Sequence, residues 1–405
     1  MSTTLAHPQR NRVLGGLVFA QIMVGASNGV TLSMGSLLAA YLAGATWGGS
    51  AATLTTIGAA IFSIPLARMV SRYDRRTSLS FGMFLGCIGA ALAIIGAQFG
   101  IFPVVLLAFL FLGSMAAVNL QARFAATDVA SESTRGRDLS IVVWSTTIGA
   151  IAGPNLFEPS ARFSEALGLE QHAGAYLLCL VGQIIAIAVW RFTLPKSLKP
   201  EVIAVPDGHK KRLTPDALRA IASVATAHFS MVGLMSMAAI HMQGHGENLT
   251  VIGFTISIHV AGMYALSPLF GLLTDKLGRA FTIFSGFGML IASAALLALW
   301  PEPYWAMIAS MILLGLGWNS ALVGSSALLV DSTPTTDRTY AQGRSDLTMN
   351  IAGACGGLMA GPLIAIGGMP FLAGIVLAVV IIQTAISAWR VKPKTASPQP
   401  HIHAQ

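Results

Sequence analysis

Apolar stretches of about 20 residues, the length of a helix that crosses a bilayer, recur along nearly the whole chain and leave it few folds. Only 10% of the 405 residues are charged, against about 25% in an ordinary soluble domain, and those charges cluster between the stretches. Mean hydropathy is +0.71. The pattern predicts an all-α, multi-pass membrane protein. Twelve spans are expected, near residues 13–40, 48–70, 77–98, 101–123, 139–157, 174–194, 216–241, 250–272, 280–300, 303–330, 345–367 and 369–390. The first is too long for a secretory signal and lacks a cleavage site after it, so it counts as a span.

Positive charge sets the expected orientation. Arg10 and Arg12, then Arg68, Arg72, Arg75 and Arg76, Arg135 and Arg137, the run from Lys196 to Arg212, Lys276, Arg279, Arg338 and Arg344, and finally Arg390, Lys392 and Lys394 all fall on one side of the span pattern. Of 24 Lys and Arg, only Arg162 falls on the other. That asymmetry predicts that both termini are cytoplasmic. The net charge of +8 then reflects membrane orientation, with the lipid bilayer as partner and no nucleic acid. Cys87, Cys179 and Cys355 each sit alone in a span, which suggests neither a disulfide nor a Cys-x-x-Cys metal site.

The spans divide into an N-terminal six-helix bundle over 1–194, a Pro- and Lys-rich cytoplasmic linker over 195–215, a second six-helix bundle over 216–390, and a tail over 391–405 expected to be disordered. The halves repeat. Span 8 ends in Gly271-Leu-Leu-Thr-Asp275-Lys-Leu-Gly278-Arg279, and span 2 ends in a weaker copy with Ser71 in place of the acid and Asp74 in place of the second glycine. Asp128…Arg137-Asp138 after span 4 likewise matches Asp331…Arg344-Ser-Asp346 after span 10. Repeated halves are frequent in secondary transporters, with substrate held near the midplane between them.

The Gly-x-Leu-x-Asp-Lys-x-Gly-Arg loop, twelve spans and a central linker resemble the major facilitator superfamily over essentially the whole chain. The resemblance implies two pseudo-symmetric six-helix bundles working by alternating access, with Gly271, Asp275, Gly278 and Arg279 in a cytoplasmic gate loop. None of the 16 Asp and Glu lies near the middle of a span, so a buried carboxylate relay has no evident candidate. No phosphate-binding loop suggests direct use of ATP. The deep polar and aromatic side chains are neutral: Gln21, Asn28, Asn119, Gln121, Trp144, His228, His259, Trp318 and Asn319.

Methionine is plentiful, at 17 residues. Met231 and Met235 in span 7, and His259 and Met263 in span 8, are spaced four apart, so each pair shares one helix face. By rise per residue, Met231 and His259 lie roughly 16 and 14 Å below the turn joining the two spans. Chance supplies roughly 0.7 Met-x-x-x-Met pairs in such a composition, Met307 and Met311 form another, and Met fills gaps in ordinary cores. For His259 the plain alternative is a hydrogen bond to a neighbouring helix. Thioether and imidazole together, however, make a soft site that suits Cu(I).

Met-x-x-x-Met on one helix and His-x-x-x-Met on the next resembles the CcoA-like branch of the superfamily. The resemblance implies a bacterial inner-membrane importer of copper for cytochrome oxidase assembly, with Met231, Met235, His259 and Met263 as metal ligands. Copper would be cargo, passed to a cytoplasmic copper acceptor, and no resident cofactor is expected. The same branch includes riboflavin transporters. Trp144, Trp318, Asn119, Gln121 and Asn319 are the residues expected to serve an organic solute, and a drug/proton antiporter is the other rival. No nucleophile–base arrangement suggests an enzyme. Nearer the surface, His241, Met242 and His245 could feed metal inward or serve only as interfacial polar residues. His401 and His403 fall in the tail.

Overall fold

The computed structural model describes residues 7–129, 135–196, 213–334 and 337–389. The tail with His401 and His403, and all of the linker between 197 and 212, lie outside the described residues. Within them the chain is helical: α1 (His7–Ala43), α2 (Ser50–Arg72), α3 (Arg75–Phe99), α4 (Phe102–Leu112), α5 (Ser114–Val129), α6 (Arg135–Ala152), α7 (Phe157–Ala166) and α8 (Ala173–Thr193), followed by α9 (Pro215–Gly244), α10 (Leu249–Tyr264), α11 (Ser267–Leu277), α12 (Arg279–Leu299), α13 (Tyr304–Asp331) and α14 (Arg338–Trp389).

Local chemistry explains many of the boundaries. Thr214 caps α9 by accepting from the Ala217 N–H, with Pro215 in the first turn, and Asn248 caps α10 through the Val251 N–H. Both satisfy amides that a helix start leaves unpaired. Helix α10 ends just before Ser267-Pro268, where the proline opens α11. Gly367 and Gly368 break α14, the latter at φ +69°, a backbone region that favours glycine.

Ten segments of the described residues are long and apolar enough to cross a membrane. The last, Tyr340–Ala388, is 49 residues long and contains the Gly367–Gly368 break. The expected twelve is reached only by dividing this segment there and adding the less apolar α6.

The helices pack in two groups. In the first, α1 lies against α6 and α8, and α3 against α4 and α8; in the second, α9 lies against α13 and α14, and α12 against α13. Lipid supplies no hydrophobic drive between helices, so close approach rests on small residues. A β-carbon added at Gly149 of α6 would lie 1.8 Å from the Ile22 carbonyl of α1, and one at Gly315 of α13 would lie 2.3 Å from the His259 carbonyl of α10.

The two groups meet through α1–α9, α2–α14 and α6–α10. Near the α1–α2 turn, Thr53 donates to the Ala354 carbonyl at 3.1 Å, and Gly49 abuts Gly357 so closely that a β-carbon at Gly49 would sit 1.7 Å from the Gly357 oxygen. Midway along α10, Asn155 donates to Ser257 at 2.7 Å, and Ser257 donates to the Ile151 carbonyl at 2.7 Å. These contacts close one end of the interface between the groups.

Candidate functional site

A cavity of about 260 Å³ lies between the two groups. Helix α9 lines it with His228, Met231, Val232, Met235 and Ser236, a run at three- and four-residue spacing that forms one helix face. Helix α2 contributes Thr55, Thr56 and Ala59 at the same spacing, and α1 contributes Asn28 and Thr31. Met115 and Asn119 come from α5, Met263 and Tyr264 from α10, Trp318 from α13 and Asn350 from α14. Among the described residues, no Asp, Glu, Lys or Arg lies on this wall.

Met231, Met235 and Met263 therefore share one cavity, although they come from two helices. His259 does not line it. Its side chain is fully buried and turns to α13, where Nδ1–H donates to the Met311 carbonyl at 2.8 Å. The carbonyl can only accept, so this bond fixes the tautomer and leaves the lone pair on Nε2. That buried Nε2 has no hydrogen-bond partner among the described residues, an uncommon condition for a buried polar atom.

The imidazole on the cavity wall is His228. Trp318 donates from its indole N–H to His228 Nδ1 at 3.0 Å, which places the His228 proton on Nε2. The two histidines thus hold opposite tautomers: His259 keeps an unused lone pair, while His228 presents a donor. Tyr264 stands edge-on to Trp318 at 5.8 Å, which builds an aromatic corner around that donor.

The residues expected to serve an organic solute divide in the same way. Asn119 and Trp318 line the cavity. Trp144 is exposed and away from it. Gln121 accepts from Ser78 at 3.0 Å, and Asn319 accepts from Ser267 at 3.0 Å while donating to the Gly262 carbonyl. Those two amides are occupied in joining helices. Asn28, Thr31, Thr55, Thr56, Asn350 and Tyr264 complete the wall without having been assigned a role from sequence, and the three-residue spacing of Asn28 and Thr31 was the available clue.

The signature loop joins α11 to α12. Gly278 holds φ +96° and ψ 161°, a combination essentially confined to glycine. That turn aims Arg279 back at the bundle, where Nε donates to Asp331 at 2.7 Å and Nη1 donates to the Thr274 carbonyl at 3.0 Å. Asp275 is 3.5 Å from the same guanidinium. Gly271 has open space where a β-carbon would stand. In the first half, Asp74 in the glycine position instead caps α3 by accepting from the Thr77 N–H at 2.7 Å.

At the other end of α9, His241 and His245 lie with ring centroids 4.3 Å apart. Met242 is separate from them, buried in the hydrophobic core. No group of three or more His, Cys, Asp or Glu able to hold a metal occurs among the described residues.

Residues 17–224 and 220–404 each match the family model of the Major Facilitator Superfamily. The uncharacterized MFS-type transporter YddS of Bacillus subtilis is 32% identical over 396 residues, covering 92% of this chain and 90% of that protein. The riboflavin transporter RfnT of Brucella anthropi is 27% identical over 401 residues, 96% of this chain and 98% of the relative. A bacterial homolog of the human lysosomal transporter Spinster, solved inward-facing and unoccupied, superimposes with a TM-score of 0.70 at 17% identity, covering 95% of this chain and 96% of that one. With the family matched across both helix groups and relatives aligned nearly end to end, the chain belongs to the Major Facilitator Superfamily and is a multi-pass transporter, not an enzyme.

Proposed function

We propose that the chain imports copper as Cu(I) across the bacterial inner membrane by alternating access, delivering it for cytochrome oxidase assembly, as its resemblance to the CcoA-like branch implies. One observation carries this reading: Met231, Met235 and Met263 bring three thioethers to a single neutral cavity. Soft ligands of this kind select Cu(I) over hard cations. The absence of thiolate and carboxylate from the wall among the described residues suits an ion that must be released as well as bound. His259 stands one turn from Met263 and outside the cavity wall, with an Nε2 that has no hydrogen-bond partner among the described residues.

A second reading has its own support. The aromatic corner of Trp318 and Tyr264, the His228 donor and the amides Asn28, Asn119 and Asn350 suit a flat polar solute such as riboflavin, and RfnT is a full-length relative. A proton-coupled antiporter draws no support from a wall on which no acid stands among the described residues.

Parallel uptake of copper and riboflavin by cells expressing the protein decides between the first two. Met231→Leu and Met263→Leu preserve volume at a cost usually below about 1.5 kcal/mol while removing sulfur, and each should abolish most copper uptake. Trp318→Phe removes the N–H that orients His228 and should spare it. Normal copper uptake in both methionine variants, with riboflavin uptake lost in Trp318→Phe, would replace the copper reading with the riboflavin one.

A further inference from the structure

Most hydroxyls on the cavity wall are already committed to their own helices. Thr31 donates to the Ser27 carbonyl at 2.8 Å, Thr55 to Ala51 at 2.7 Å, Thr56 to Ala52 at 2.8 Å and Ser236 to Gly233 at 3.0 Å. Each hydroxyl therefore offers a cargo only its oxygen lone pairs. Hydrogen-bond donors for the cargo have to come from other side chains.

Asn119 is one of them. Its Oδ1 accepts from Gln21 Nε2 at 2.6 Å and from the Thr146 hydroxyl at 3.4 Å, and the same Gln21 nitrogen donates to Thr146 Oγ1 at 3.0 Å. Both hydrogens of the Gln21 amide are thus engaged. With its oxygen held from behind, Asn119 turns its NH2 to the cavity it lines. Gln21 itself is fully buried and stands outside the wall, and its Oε1 has no partner among the described residues. Turning both amides over would replace that one unpartnered oxygen by a buried NH2 with two unpartnered hydrogens. Orphaned donors are the rarer and costlier condition, so the donor setting of Asn119 is the stable one. The second donor is His228, whose tautomer Trp318 fixes. Asn119 belongs to α5 in the first helix group and His228 to α9 in the second.

We propose that Gln21 is a positioning residue that holds Asn119 as a donor, and that Asn119 and His228 together select an uncharged planar cargo carrying hydrogen-bond acceptors, carbonyl oxygen or ring nitrogen, at two places. Planarity follows from the Trp318–Tyr264 corner, and neutrality from a wall without charged side chains among the described residues. A cargo gripped by one donor from each group binds best when the groups are held together, which is the differential affinity that alternating access requires. The proposal rests on the organic-solute reading of the cavity and not on the copper one.

The test uses the purified full-length protein in detergent with riboflavin as the probe, followed by quenching of flavin fluorescence. Bound riboflavin should be displaced by lumiflavin, which keeps the carbonyl and ring-nitrogen acceptors, and not by acridine, a three-ring plane with a single ring nitrogen. Asn119→Leu should weaken riboflavin binding roughly fivefold, the worth of one hydrogen bond. Gln21→Met keeps the length of the side chain without its donors and should weaken binding by a similar factor. Because Gln21 acts through Asn119, the double variant should bind no more weakly than Asn119→Leu alone, whereas a merely structural Gln21 would multiply the two losses. Multiplied losses, wild-type affinity in Gln21→Met, or displacement by acridine as effective as by lumiflavin would overturn the proposal and leave the solute reading standing. The displacement comparison needs no variant, so it decides even if a substitution impairs folding. Failure of the wild-type protein to bind riboflavin would remove the solute reading, and the proposal with it.

Discussion

Gly49→Ala tests whether the Gly49–Gly357 contact holds one end of the transporter shut. Gly49 has φ −72° and ψ −12°, so alanine strains nothing in its own backbone. The clash is with the opposite helix group. The new β-carbon would lie 1.7 Å from the Gly357 oxygen and 2.8 Å from its carbonyl carbon, where ordinary contact begins at 3.4 Å. The difference, 3.4 − 1.7 = 1.7 Å, must come from separation of α2 and α14, because both partners are backbone. Overpacking of this kind costs about 1–3 kcal/mol, charged against the closed arrangement alone. At about 1.4 kcal/mol per decade, the ratio of open to closed molecules should rise roughly 5- to 150-fold.

The assay is labelling of a single cysteine on the cavity wall, Thr56→Cys in a background lacking Cys87, Cys179 and Cys355, by a membrane-impermeant maleimide applied on the side of the α1–α2 turn. Labelling should accelerate within that range while uptake falls. Gly288→Ala is the control, since a β-carbon there meets nothing within 4 Å. If Gly49→Ala labels and transports like Gly288→Ala, the contact does not gate access, and the reasoning from backbone approach fails.

Two further outcomes test the site and the loop. His259→Gln should abolish copper uptake with normal membrane abundance if Nε2 is a ligand, because an amide can replace the hydrogen bond to Met311 but is a poor soft-metal ligand; retained uptake would make His259 a helix-packing residue. Gly278→Ala places a β-carbon at φ +96°, ψ 161° and should cost about 1–3 kcal/mol, read as a lower Tm in detergent, whereas Gly271→Ala should leave Tm nearly unchanged.

The helical, multi-pass class was legible because span length and charge placement follow directly from the bilayer. The methionine placement was legible for a related reason: His228, Met231, Val232, Met235 and Ser236 repeat with the helix period, so facing follows from spacing. His259 was different. Buried positions on α10 run almost all the way round, from Ile252 and Gly253 through Thr255, Ile256, Ser257, His259 and Val260 to Gly262 and Met263. The remaining face carries Phe254, exposed but as apolar as the core, so hydrophobicity has no period to say which neighbour a given residue meets. Gln121 and Asn319 were misleading for another reason. Depth marked them as polar groups in need of partners, but the nearest partners were other helices, and only three-dimensional packing decides between a helix joint and a ligand.

The uncharged wall also bears on the energy source. If no carboxylate exchanges a proton against the cargo, and none lines the wall among the described residues, a bound cation crosses with its full charge, its transport is electrogenic and the membrane potential contributes to it. One elementary charge moved across 100 mV is worth about 2.3 kcal/mol, enough to hold roughly a 50-fold concentration ratio with no second ion. A neutral solute in the same cavity would gain nothing directly from the voltage.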